Sequence, residues 1–266
     1  MTSAERIVDV GAGGLHARLR TGEDPALVFL HYWGGSHRTW IPVVDRLPPH
    51  HAAVTYDQRG WGASNRMPGP FELDQLADDA LHVVESCDLR SFVLVGHSMG
   101  GKVAQVLAAR RPAGLAGVVL VAPAPPAPAG VTAAQRDALL HAYDDAETVG
   151  QAIDHALTRR GLPPELRVQV VEDSLRGSPG ARDAWPRRGI VEDVGDAVAN
   201  IDVPVLVLAG DDDRVDPPAT LATHLLPRIP TATMDVLVGT GHLSPLEVPD
   251  QVSGYVNRFV TGLASS

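Results

Sequence analysis

The sequence predicts an α/β fold: a mostly parallel central sheet flanked by helices, interrupted by a helical cap insertion. Three observations carry this prediction. Short apolar runs at 26–32, 52–56, 92–96, 117–121, 205–209 and 234–238 have the length and the turn boundaries of buried strands. Each run is followed by a turn and then by an amphipathic pattern, and that alternation builds a parallel sheet, because parallel neighbours need a crossover. Finally, about eighty residues between Val121 and Val205 hold no strand-like run, which exceeds any ordinary strand-to-helix connection.

Taken in order, segments 7–10 and 16–20 read as an antiparallel hairpin at one edge, turned by Gly11-Ala12-Gly13-Gly14. Strand 26–32 leads to a helix over 39–47. His50-His51 opens strand 52–56, which is expected at the far edge of the sheet with the histidine pair in solvent rather than on a metal. A helix over 73–87 ends at Cys87, a partly buried structural thiol. Strand 92–96 runs into a helix over 99–110, and strand 117–121 into Pro123-Ala124-Pro125-Pro126-Ala127-Pro128, a stiff extended linker. Helices near 133–146, 149–158, 164–175 and 194–199 follow, and above the C-terminal edge of the sheet they would roof a pocket. Strand 205–209, a helix over 219–226, strand 234–238 and a helix over 251–263 complete the chain. The expected organisation is a core of 1–122 and 200–266 and a cap of 123–199.

Composition narrows the function. A chain of 266 residues with 44% hydrophobic content can bury one large core, alone or with a smaller insertion. A net charge of −10 gives no electrostatic reason to bind nucleic acid or an anionic membrane, so a small neutral molecule is the expected partner. No uncharged apolar run approaches the roughly 18 to 20 residues of a membrane span. Residues 1–9 carry Glu5, Arg6 and Asp9 and lack the apolar segment of a secretory leader, which makes the cytoplasm the expected compartment. Cys87 is the single cysteine, so neither a disulfide nor a cysteine-based zinc site can form within the chain. No zinc-type motif is present; neither cofactor nor metal is expected, and oligomeric state is left open.

The sharpest chemical signal is Gly96-His97-Ser98-Met99-Gly100, set between the apolar run Phe92-Val93-Leu94-Val95 and a helical pattern. Strand, tight turn, serine and helix in this order form a strained elbow that exposes the hydroxyl, and glycines two residues either side avoid collisions of a Cβ with neighbouring backbone. At the helix N-terminus the Met99 N–H can hold a forming oxyanion. His97 is expected to pack beneath the nucleophile. A serine hydroxyl needs a positioned base, and that base needs a carboxylate. Both follow in order: an acid-rich loop, Gly210-Asp211-Asp212-Asp213-Arg214-Val215-Asp216, after strand 205–209, then Gly239-Thr240-Gly241-His242 after the next strand. Ala122-Pro123-Ala124 offers no carboxylate after the preceding strand, so the acid lies among Asp211, Asp212, Asp213 and Asp216. A second oxyanion donor belongs to the loop after strand 26–32, His31-Tyr32-Trp33-Gly34-Gly35. The candidate is the Trp33 N–H, with its indole walling the acyl pocket. Asp57-Gln58-Arg59-Gly60-Trp61-Gly62-Ala63-Ser64 gathers polar residues but has the glycine spacing of a tight turn, and reads as scaffold.

Together these segments resemble the α/β-hydrolase superfamily over nearly the whole chain outside the cap. Methionine after the serine and the aromatic in the oxyanion loop resemble the serine-nucleophile esterases and the cofactor-free haloperoxidase or perhydrolase branch. The resemblance implies Asp213 as the acid, three residues past Gly210. Two departures stand out: His31-Tyr32 where many members have His-Gly, and Lys102 where the haloperoxidase-type elbow has a further glycine. Serine at the elbow is unlike dehalogenases, and no lysine neighbours His242 as in hydroxynitrile lyases. The implied activity is hydrolysis of a small, largely apolar carboxylic ester or lactone by Ser98, His242 and Asp213 through an acyl-enzyme. Perhydrolysis or C–C bond hydrolysis on the same triad is the alternative, and a non-catalytic ligand-binding protein the competing class.

Overall fold

The computed structural model describes residues 3–11 and 13–263. Ala12, in the expected hairpin turn, and Met1, Thr2 and positions 264–266, in the expected core, lie outside the described residues.

An eight-stranded sheet runs in the order β1-β2-β4-β3-β5-β6-β7-β8. Its strands are β1 Ser3–Asp9, β2 Gly14–Arg20, β3 Glu23–Leu30, β4 His51–Tyr56, β5 Phe92–His97, β6 Leu115–Val121, β7 Val205–Gly210 and β8 Ala232–Leu237. β2 pairs antiparallel with β1 and β4, and every pairing from β4 to β8 is parallel. The mixed sheet with a hairpin edge and a helical insertion is the fold expected from the strand–helix alternation.

Helices cover both faces, which is why β5 is buried along its whole length and reads as an unbroken apolar run. On β3, Leu27 and Phe29 join one core and Val28 and Leu30 the other, as the two-residue period of a strand requires. Trp40 and Val43, in and beside the short α1 (Ile41–Val44), help to cover the first face. The other core receives α2 (Leu73–Ser86), whose buried Leu73, Leu76, Ala77, Ala80, Val83 and Val84 form one helical stripe, and α3 (Met99–Ala109). The insertion between β6 and β7 contains α4 Ala133–Leu140, α5 Ala146–Ala152, α6 Pro164–Arg176, α7 Pro179–Arg187 and α8 Gly195–Val198. After β7 comes α9 (Pro218–His224), and after β8 come α10 (Ser244–Glu247) and α11 (Pro249–Leu263), whose Val252 and Val256 return to the first face.

Several expectations change. Strand 26–32 ends at Leu30, which leaves His31 and Tyr32 in the following loop. The helix expected over 39–47 is a 3-10 turn, His37–Trp40, continued by α1. β4 is not an edge: the β1–β2 hairpin adds outside it, and His51 is buried with Nε2 and the Asn257 Oδ1 2.8 Å apart. The first insertion helix stops at Leu140. The second passes from α5 into a π turn, Ile153–Leu157. α7 lies outside the sequence-based expectations, because the internal Pro186 argues against a helix there. Among the described residues no helix is long and apolar enough to cross a membrane.

Candidate active site

Ser98 stands between β5 and α3 with φ 54° and ψ −116°, a conformation that an L residue adopts only when its surroundings enforce it. They do so by hydrogen bonds. The Ser98 N–H donates to the Val121 carbonyl (3.2 Å), and the Ser98 carbonyl accepts from the N–H groups of Lys102 and Ala124, both at 3.1 Å. The flanking glycines are there for space. A Cβ on Gly96 would lie 2.5 Å from the Gly100 carbonyl oxygen, and one on Gly100 2.5 Å from the carbonyl oxygens of Leu30 and His31.

The loops after β7 and β8 bring the other two groups to the same sheet edge. His242 Nε2 is 2.9 Å from Ser98 Oγ, and its Nδ1 is 2.8 Å from Asp213 Oδ2. A carboxylate only accepts, so Nδ1 carries the proton and Nε2 faces the hydroxyl with its lone pair. Asp213 is fixed by the N–H groups of Val215 (2.8 Å) and Asp216 (3.0 Å), which donate to its other oxygen, Oδ1. Burial by itself would lower the His242 pKa, but the charge and hydrogen bond of Asp213 carry it above the ordinary imidazole value. Burial pushes Asp213 the other way, and His242 together with the two backbone donors holds its carboxyl below the usual range.

The neighbouring aspartates are engaged elsewhere. Asp211 accepts from the Thr240 N–H at 3.1 Å, and Asp212 pairs with Arg159 at 2.5 Å on the surface. His97 is fully buried beneath the site, where its Nε2–H donates to the His242 carbonyl at 2.8 Å. Burial, with the nearby His242, pushes its pKa down to about 3, so it stays neutral and positions the loop carrying His242.

Trp33 occupies the loop after β3. Trp33 is not among the residues that line the cavity at Ser98: its indole packs tilted against Tyr143 at 4.2 Å between ring centroids, and Nε1 donates to the Arg182 carbonyl at 3.1 Å. The insertion grips this loop at several points. The Tyr143 hydroxyl donates to the Trp33 carbonyl (2.7 Å), and Ser174 Oγ donates to the Gly34 carbonyl (3.1 Å). From the buried Asp173 of α6, one oxygen accepts from Ser36 Oγ (2.8 Å) and the other from Arg38 Nη2 (2.6 Å). Gly34, at φ +93°, has no room for a Cβ beside the Tyr143 ring. Sequence reasoning missed this linkage, since its partners lie more than a hundred residues apart and no local motif announces them.

The 57–64 segment behaves as scaffold. Asp57 accepts from the N–H groups of His37 (2.7 Å) and Ala63 (2.8 Å), and Arg59 forms a two-pronged buried pair with Asp79, both contacts at 2.7 Å. Ligand atoms of His16, His37 and Asp57 lie within 4.8 Å of one another, a metal-type grouping absent from the sequence-based expectations. His37 Nδ1 is already bonded to Asp57 Oδ1 at 2.9 Å, so the group serves as a loop clamp.

A cavity of about 400 Å³ opens at Ser98. Its wall combines Ala124, Val131, Leu139 and Ile190 with Trp185 and the loop residues Arg214–Asp216. Such a wall suits a small apolar molecule held by few polar contacts.

A model described as the "Alpha/beta hydrolase family" matches residues 27–254. The pimeloyl-[acyl-carrier protein] methyl ester esterase of Xanthomonas campestris pv. campestris is 30% identical over 255 residues, covering 91% of this chain and 97% of the relative. The non-heme chloroperoxidase of Streptomyces lividans is 28% identical, covering 81% and 84%. Among solved structures, an esterase from Exiguobacterium antarcticum superposes with a TM-score of 0.84 at 20% identity, over 98% of this chain and all (100%) of that one, a likeness of fold.

Proposed function

Because the chain belongs to the alpha/beta hydrolase family, we propose that it is a serine hydrolase acting on a small, largely apolar carboxylic ester or lactone. The observation that carries this reading is the continuous relay from Ser98 Oγ through His242 to Asp213, with spacings of 2.9 and 2.8 Å. In the first step Ser98 Oγ attacks the ester carbonyl carbon while His242 Nε2 takes its proton. Asp213 keeps the proton on Nδ1 and stabilises the imidazolium. The backbone N–H groups of Met99 and Trp33 hold the tetrahedral oxyanion, the first aided by the N-terminal dipole of α3. His242 then protonates the leaving alkoxide, and the acyl group remains on Ser98. Water, activated by the same imidazole, attacks that acyl-enzyme and restores the serine.

The methyl ester esterase relative supports ester cleavage, and the chloroperoxidase relative supports a second reading in which hydrogen peroxide replaces water at the acyl-enzyme and a peracid leaves. In this proposal 123–199 act as the cap that bounds the acyl pocket, with 1–122 and 200–266 as the core. A cytoplasmic site of action belongs to the same reading, supported by one half-buried thiol, Cys87, with no second cysteine to pair with. The test is a fluorophosphonate probe on wild type and Ser98→Ala, located by peptide mass spectrometry, with turnover of a short-chain aryl ester beside it. Label on Ser98 and turnover that both vanish in the variant are expected. Equal turnover by the two proteins overturns the reading.

A further inference from the structure

We infer that Asp216 is a specificity residue, its carboxyl placed in the Ser98 cavity to hold a neutral hydrogen-bonding group, a hydroxyl, on the acyl part of the substrate. The inference rests on the serine-hydrolase reading and narrows it from an apolar ester to an apolar ester with one polar handle.

Asp216 lies in the loop after β7, and its N–H is tied to Asp213 Oδ1 at 3.0 Å, so the residue is anchored to the triad acid itself. Its side chain forms part of the wall of the cavity that Ser98 also lines, and it is only 9% exposed. No described residue makes a hydrogen bond or an ion pair to its carboxyl. The other long polar side chains in that wall are engaged. Gln135 Oε1 accepts from the Thr132 N–H (2.8 Å) and hydroxyl (2.9 Å), and Arg214 Nη1 donates to the His155 carbonyl (2.9 Å). The carboxyl oxygens are thus left facing the cavity and not a protein partner, in a largely apolar wall, a position that a hydrogen-bonding ligand completes.

The surroundings also say which ligand. Lys102 is fully buried close enough to act on Asp216 electrostatically, while its ammonium donates to the Glu192 carbonyl at 2.6 Å. With the Lys102 ammonium already near the carboxyl, a cationic ligand would be repelled by it. An anionic substrate would meet the carboxylate form of Asp216 in the cavity wall. A hydroxyl avoids both penalties. Burial pushes Asp216 up to about 7, so near neutral pH its acid form can donate to a hydroxyl and its carboxylate can accept from one.

The test compares p-nitrophenyl esters of butyrate, 2- and 3-hydroxybutyrate and 3-aminobutyrate on wild type, Asp216→Asn and Asp216→Val. In wild type at least one hydroxy ester should exceed butyrate by roughly tenfold or more in kcat/KM. In Asp216→Val that ratio should fall to near one, while the near-isosteric Asp216→Asn, which can still hydrogen-bond, should keep part of it. The same ranking is expected in Kd for the methyl esters on Ser98→Ala and Ser98→Ala/Asp216→Val, read by calorimetry without turnover. An unchanged ratio in Asp216→Val, or a preference for the aminobutyrate, overturns the proposal. Loss of all turnover in wild type together with a retained Asp216-dependent binding preference would refute the hydrolase reading and leave this one standing.

Discussion

Replacing Asp213 with asparagine tests the relay at the point where the geometry is most specific about the result. In wild type, Oδ1 accepts from the N–H groups of Val215 and Asp216, and Oδ2 accepts from His242 Nδ1–H. An asparagine has one oxygen and one NH₂ for these two positions. Two fixed backbone donors demand the oxygen on their side, so the NH₂ turns toward His242. Nδ1 must then accept, the proton moves to Nε2, and Nε2 can no longer take the proton of Ser98 Oγ at 2.9 Å. The wrong tautomer should lower kcat by about 10³- to 10⁴-fold, equivalent to roughly 4–5.5 kcal/mol of transition-state stabilisation. KM should change little, because Asp213 does not line the cavity. The assay is aryl-ester turnover with the rate of fluorophosphonate labelling beside it, and Asp212→Asn, at a half-exposed ion pair with Arg159, is the control that should retain wild-type rates. A labelling rate in Asp213→Asn within threefold of wild type would refute the tautomer argument.

The remaining expectations follow from the same geometry. Since His242 must be neutral to act as base and its pKa is raised above 6.5, kcat/KM for a non-ionising ester should rise with pH along a limb centred above pH 6.5. A profile already flat at pH 6 would contradict the pairing with Asp213. Gly100→Ala should lower stability to urea by about 2–4 kcal/mol, because its Cβ would meet two carbonyl oxygens of the β3 segment at 2.5 Å. An unmoved midpoint would show that the elbow has slack.

What the sequence made legible was mostly local. β5 and α3 announce themselves because a buried parallel strand is a continuous apolar run and its successor has helical spacing. Ser98 and His242 are legible because a tight turn at a strand end demands glycine at fixed offsets. Asp213 needed more than its own neighbourhood, since four aspartates crowd one loop and their fates differ only in three dimensions: one bonds His242, one Thr240, one Arg159, and Asp216 enters the cavity. α7 was hidden because Pro179 at a first turn is compatible with a helix whereas Pro186 near its end argues against one, and tertiary contacts of Trp185 decide the matter. His51 was misplaced because nothing in a single strand reveals how many others lie outside it. The indole of Trp33 was assigned to the pocket from its position in the loop, whereas its partners, Tyr143 and Arg182, come from distant parts of the insertion.

The grip of the insertion on the loop after β3 has a consequence for substrate size. Tyr143 and Ser174 hold the carbonyls of Trp33 and Gly34, and Asp173 holds Ser36 and Arg38. The insertion and the loop after β3 are therefore tied together by side chains. The same insertion supplies Leu139 of α4 and Trp185 of α7 to the wall of the cavity of about 400 Å³ at Ser98, so an ester too bulky for that space presses on the segment that also holds the loop after β3. Turnover is therefore expected to fall steeply once the acyl chain outgrows the cavity, which a series of p-nitrophenyl esters of increasing acyl length would read.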